Sequence, residues 1–101
     1  LPDIRVSKEQ LMPAYELLSL VNEQVWLGHF DIWSQGRVLV YRHGALLADD
    51  GMLSVAQAQA LIENAVDECD HFYPAFQFVL WGNKSPADAL EAAMIDAAGE
   101  A

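Results

Sequence analysis

The sequence predicts an α+β fold in which helices pack on an antiparallel sheet. Three observations predict it. Apolar residues recur at three- and four-residue steps in separate stretches that open behind Ser7, Ser54 and Ser85, residues suited to helix starts. Between the first two stretches lie two short runs rich in Val, Ile, Leu and aromatic side chains, joined through a glycine. In addition, 53% of the residues are apolar, which excludes intrinsic disorder despite a net charge of −10.

The first helix starts at the Ser7…Gln10 pair, which has capping-box spacing. Its apolar stripe is Leu11, Tyr15, Leu18, Val21 and Val25, expected to face the core. Pro13 is tolerable only in the first turn or as a kink, because it lacks the N–H that a helix interior needs. Two strands follow. Leu27 to Ser34 alternates, with Phe30 and Ile32 on one face and His29, Asp31 and Trp33 on the other. Arg37 to Leu47 forms its partner, and Gln35-Gly36 supplies the turn. A two-residue turn there sets Trp33 opposite Val38, Ile32 opposite Leu39 and Phe30 opposite Tyr41. Ala48 to Gly51 breaks the second strand.

Ser54 and Gln57 repeat the capping-box spacing and open the longest helix, whose main stripe includes Leu61, Ala65, Cys69, Phe72, Phe76 and Leu80. Pro74 predicts a bend or restart between His71 and Ala75, and Gly82-Asn83 a left-handed end. A last helix runs from Pro86 to about Ala98, with Leu90, Met94 and Ile95 inward and Asp88, Glu91 and Asp96 outward. The order is α-β-β-α-α. A hairpin with two open edges is marginal by itself, and helices cover its faces but not its edges. More strands are therefore expected, either ahead of Leu1 or from a second copy.

A series of segments resembles a known family. Asn22-Glu23, Trp26 to Trp33, Tyr41-Arg42-His43, Phe72 to Gly82 and Lys84-Ser85-Pro86 stand in the same order as in the bacterial YbjN family, closest to its alphaproteobacterial branch. Members are labelled sensory-transduction regulators. The resemblance implies a fold like the type III secretion chaperones, with homodimers that bind other polypeptides. It implies that residues 1–101 are one YbjN-like domain lacking its N-terminal helix and strands. Pro13, within the expected first helix, departs from the pattern. The resemblance implies no catalytic residue.

Composition narrows the function. With 101 residues the chain holds a single domain. Fifteen acidic against five basic side chains argue against nucleic acid and anionic membrane as partners. The lone Cys69 suits a reducing compartment, and no apolar run reaches the ~20 residues of a membrane span, so a cytoplasmic location is expected. Asp67, Glu68, Asp70 and His71 form the densest polar cluster, extended by Glu63. Asp67 and His71 have the i, i+4 spacing of a metal or proton pair, but a third ligand is missing from the pattern, and a solvated acidic face is the expected role. His29 opposite Arg42, with Asp31 diagonal, predicts a structural ion pair. Cys69 on the apolar stripe predicts an inert thiol.

Neither a phosphate loop nor a zinc-type cysteine pair nor a nucleophile elbow occurs. The expectation is therefore a protein that is not an enzyme and holds no cofactor or metal. Small-molecule or metal binding is the alternative. Core packing accounts for most of the aromatic residues. Trp33, Phe78 and Trp81 fall off the main stripes and are the candidate protein interface, for a second subunit or an unknown client.

Overall fold

Ser7 opens a 3-10 turn, Lys8–Gln10, that runs straight into helix α1, Leu11–Asn22, in a computed structural model describing residues 3–99, with side chains through Ile95. The outward placement expected of Asp96 lies outside the described side chains. Gln10 Oε1 accepts from the Ser7 N–H at 3.2 Å and from its hydroxyl at 3.0 Å, while Gln10 Nε2 donates to the Leu80 carbonyl at 2.8 Å. One glutamine thus closes the start of α1 and ties it to the end of a helix seventy residues later. Pro13 is the third residue of α1, in its first turn, where a missing N–H is best tolerated.

The buried face of α1 is Ala14, Leu17, Leu18 and Val21. Tyr15, expected on the stripe, is 48% exposed. It stands about 100° around the helix from Ala14. Its phenol is therefore carried off the face that α1 presents to its neighbours. Ala14, Ala75, Ala89 and Ala93 are all buried in one core cluster, and their small side chains let the helices come close.

Strands β1, Gly28–Trp33, and β2, Val38–His43, pair antiparallel in the expected register, with Phe30 opposite Tyr41, Ile32 opposite Leu39 and Trp33 opposite Val38. The turn differs. Its left-handed residues are Gly36 (φ 81°) and Arg37 (φ 50°), one position later than the Gln35-Gly36 pair. Arg37 is held there because its Nε donates to the Val6 carbonyl at 2.8 Å and its own carbonyl accepts from the Val6 N–H at 2.9 Å. β2 also ends at His43, not Leu47. Beyond it the chain has no partner strand, and Leu46 and Leu47 are exposed.

The missing strand is partly supplied from within the chain. Ile4 to Val6 lies along β2, with an antiparallel bridge between Arg5 and Val38 and a bond from the Leu39 N–H to the Ile4 carbonyl at 2.9 Å. Ile4 and Val6 are buried and Arg5 is exposed, the alternation of a strand. The outer edge of β1 is sealed by a side chain. Asn22 Oδ1 accepts the Phe30 N–H at 2.8 Å, and Asn22 Nδ2 donates to the Phe30 carbonyl at 3.1 Å. Asp31 Oδ1 accepts the next outward N–H, that of Ile32, at 2.8 Å.

Helix α2, Val55–Leu80, has its full capping box: Ser54 Oγ accepts the Gln57 N–H at 3.0 Å and Gln57 Oε1 accepts the Ser54 N–H at 2.9 Å. It runs unbroken through Pro74, so the helix does not restart there. The turns on either side of the proline carry Phe72, Ala75, Phe76 and Val79, all buried, and their packing outweighs the one backbone bond that Pro74 cannot make. At its end Asn83 (φ 55°) takes the left-handed conformation, while Gly82 does not. Gly82 serves by size: a Cβ there would lie 2.9 Å from the Phe78 carbonyl oxygen.

Helix α3, Pro86–Gly99, starts behind Ser85, whose Oγ accepts the Asp88 N–H at 3.3 Å. Its inner face is Pro86, Ala89 and Ala93 with Leu90 and Met94 half-buried, whereas Ile95, expected inward, is 63% exposed. The order α-β-β-α-α is as predicted, an α+β fold with a two-stranded antiparallel sheet.

Every fully buried residue of α2 lies between Phe72 and Leu80. The half of the helix from Val55 onward therefore has no residue in the core. The molecule is correspondingly long, 48 × 36 × 23 Å, with a radius of gyration of 15.0 Å. A compact chain of this length would have about 13 Å.

Candidate functional site

The sequence-predicted interface residues sit at one end of the molecule. The start of α1 lines a hollow with Ile32, Ser34 and Arg37 and is bonded through Gln10 to Leu80, so the hairpin tip and the end of α2 lie at the same end. Trp33, on the hairpin, is 46% exposed and Trp81, just beyond α2, is 57% exposed. Phe78 is half-buried against the core, and Lys84 Nζ stands 5.9 Å above its ring. Among the described residues no ring contact joins these three side chains.

A second apolar surface was missed by sequence reasoning. Val55, Ile62 and Val66 point outward along the unburied half of α2, and Leu46, Leu47, Met52 and Leu53 are exposed on the loop before it. Trp26 is 85% exposed at the loop between α1 and β1. The available signal was the second stripe on α2: Val55, Ile62 and Val66 fall within about 40° of one another at 100° per residue. It reads as core unless the helix is known to outrun its neighbours.

Between β2 and this half of α2 lies a shallow groove of about 490 Å³, lined by Tyr41, Ala65, Val66, Cys69 and Asp70. Tyr41 is its fixed point. Its hydroxyl accepts from Asn64 Nδ2 at 3.1 Å, and its ring packs edge-on to Phe30 with centroids 5.0 Å apart. Gly28 makes room for that hydroxyl, since a Cβ there would lie 2.6 Å from it and 2.5 Å from the Arg42 carbonyl oxygen. Burial pushes the Tyr41 phenol above its ordinary range; the Asn64 bond opposes this, and the charges of Glu68 and Cys69 add to it. The Cys69 thiol is pushed up by burial and by the carboxylates of Asp70 and Glu68, so it stays protonated at neutral pH.

On the other side of Tyr41 a smaller hollow of about 140 Å³ is lined by Asp3, Ile4, Phe30, Leu39, Val40, Tyr41, Cys69 and Tyr73. That is below the roughly 300–1,000 Å³ of ordinary ligand pockets. The polar cluster does not converge. His71 turns to α3, where its Nε2 lies 3.2 Å from Met94 Sδ, while Asp67 and Asp70 are exposed. Among the described residues no three His, Cys, Asp or Glu side chains gather as metal ligands. Asp31 Oδ2 and Arg42 Nε stand 3.9 Å apart, both side chains half exposed, the structural pair expected from the register. Among the described residues, His43 Nδ1 and Glu68 Oε2 are buried without a hydrogen-bond partner.

Residues 1–78 match the YbjN family, described as a putative bacterial sensory transduction regulator. The chain belongs to the YbjN family. The match spans α1, the hairpin and most of α2, and with them the groove around Tyr41. No curated protein and no solved structure matches the chain. No helix among the described residues of this YbjN domain is long and apolar enough to cross a membrane.

Proposed function

We propose that this YbjN chain is a non-enzymatic, protein-binding regulatory module of the cytoplasm, acting as a homodimer in sensory transduction or stress regulation. The family assignment supports a regulatory role. The observation that carries protein binding is the number of large apolar side chains held in solvent on two separate surfaces of a small, well-capped domain. Exposed side chains of this kind, grouped and bordered by charge, are what protein partners cover. The Trp33 and Trp81 end serves a second copy, and the groove beside α2 serves a client, in the manner of a secretion-chaperone-like module. Charge supports the exclusion of nucleic acid and anionic lipid, because phosphates are repelled by a net charge of −10.

Sedimentation at micromolar concentration tests the dimer. A two-chain species is expected, and Trp33→Ser with Trp81→Ser is expected to dissolve it. A single-chain species at every concentration, with no change in tryptophan emission between dilute and concentrated protein, refutes it.

A further inference from the structure

We infer that the groove between β2 and the exposed half of α2 receives a basic amphipathic helix from another protein. The inference rests on the protein-binding reading above and adds the partner's chemistry. Three features define that chemistry.

The first is shape. The groove floor is apolar, with Tyr41, Ala65 and Cys69 behind Val66, and Ile62 and Val55 extend the same stripe toward the start of α2. From Val55 to Val66 the stripe rises about 16 Å, three turns, at 1.5 Å per residue. A stripe of that length with side chains at i, i+7 and i+11 is matched by the apolar face of another helix laid along it.

The second is charge. From Gly44 to Asn83 the chain contains no Lys or Arg, and it carries Asp49, Asp50, Glu63, Asp67, Glu68 and Asp70. Around α2, Asp70, Glu63 and Asp67 lie about 60–120° from Val55. They form a carboxylate border along one side of the apolar stripe, and Asp70 is itself on the groove rim. A partner with apolar anchors and flanking Lys or Arg complements this border, whereas an acidic one is repelled.

The third is an unmet acceptor. Glu68 directly precedes Cys69 of the groove floor, and among the described residues its buried Oε2 has no hydrogen-bond donor. A lysine or arginine entering the groove supplies the missing donor. A second copy of this chain fits less well. It carries a net charge of −10, so the carboxylate border of the groove repels it where it attracts a basic helix.

The test uses the full chain and a fluorescent 18-residue Leu/Lys amphipathic helical peptide, read by anisotropy at low and high salt. A Leu/Glu peptide of the same apolar pattern and a scrambled Leu/Lys peptide are the comparisons. The ordered Leu/Lys peptide is expected to bind, and to weaken steeply with salt. Ile62→Ser with Val66→Ser is expected to weaken it by about tenfold or more, with an unchanged melting temperature because both side chains are exposed. Ile95→Ser, on an exposed site of α3, is expected to leave binding within about twofold. Glu68→Gln with Asp70→Gln is expected to weaken binding and flatten its salt dependence. Equal binding of the Leu/Glu or scrambled peptide, or indifference to Ile62 and Val66, overturns the basic-helix partner. So does a two-chain species that Ile62→Ser with Val66→Ser dissolves, although that outcome leaves the protein-binding reading standing. A chain that stays single and binds none of the peptides overturns both.

Discussion

Replacing Asn22 by alanine isolates how this small sheet closes its outer edge. Asn22 stands in for a neighbouring strand: its amide accepts the Phe30 N–H at 2.8 Å and donates to the Phe30 carbonyl at 3.1 Å. Phe30 is 4% exposed and packs against Tyr41, Phe72 and Phe76, so its backbone is poorly placed to find water instead. Two such bonds contribute about 1 kcal/mol each, and stranding the groups away from water raises the loss to about 2–3 kcal/mol. For a domain of this size that lowers the melting temperature by roughly 8–24 °C. Urea denaturation followed by tryptophan emission measures the free energy, and amide exchange at Phe30 locates it. Asn22→Asp keeps the acceptor, loses the donor and turns a carboxylate oxygen toward the Phe30 carbonyl, so it is expected to be at least as unstable as the alanine variant. A loss under about 0.5 kcal/mol with unchanged exchange at Phe30 would refute the edge-sealing role.

Further outcomes follow from the same structure. Gly28→Ala drives a methyl into the Tyr41 hydroxyl and the Arg42 carbonyl; a loss of about 1–3 kcal/mol on denaturation is expected, with Tyr41 displaced from Asn64. The folded-state pKa values of Cys69 and Tyr41 are both raised, so their contribution to stability is full below the ordinary thiol and phenol ranges and is lost as pH rises through the folded values. Melting temperature should therefore fall on the alkaline side, and Tyr41→Phe should flatten that fall. At pH 8 the Cys69 thiol should react with iodoacetamide several-fold more slowly than a free cysteine, and unfolding in urea should restore the ordinary rate. Phe76→Ala removes a ring that is fully buried and should cost about 3–5 kcal/mol by the same denaturation assay.

Some features were legible because they are local. The Ser54 and Gln57 capping box and Pro86 behind Ser85 need only residues within one turn. The hairpin register was legible because alternation and a tight connection leave one pairing that puts Phe30 and Ile32 on the same side. Other features were not. The face of α1 was misjudged at Tyr15, and that of α3 at Ile95, because periodicity gives a stripe's width but not the positions of the neighbouring helices. Pro74 does not restart α2, because the packing of Phe72 and Phe76 around it holds one continuous helix. Of the candidate interface, Trp33 and Trp81 are exposed and Phe78 is half-buried, while the outward stripe of Val55, Ile62 and Val66 is not singled out by sequence reasoning.

The sequence by itself determined the class of fold, the order of its elements, the strand register and the acidic character of any surface it presents. Each of these depends on neighbours along the chain or on composition. Only the tertiary structure decided that Ile4 to Val6 and Asn22 close the sheet edges. It alone decided that α2 outruns the core and leaves an apolar ridge beside a carboxylate border. Burial is a relation between distant parts of the chain, and an apolar stripe looks the same in sequence whether the structure covers it or leaves it for a partner.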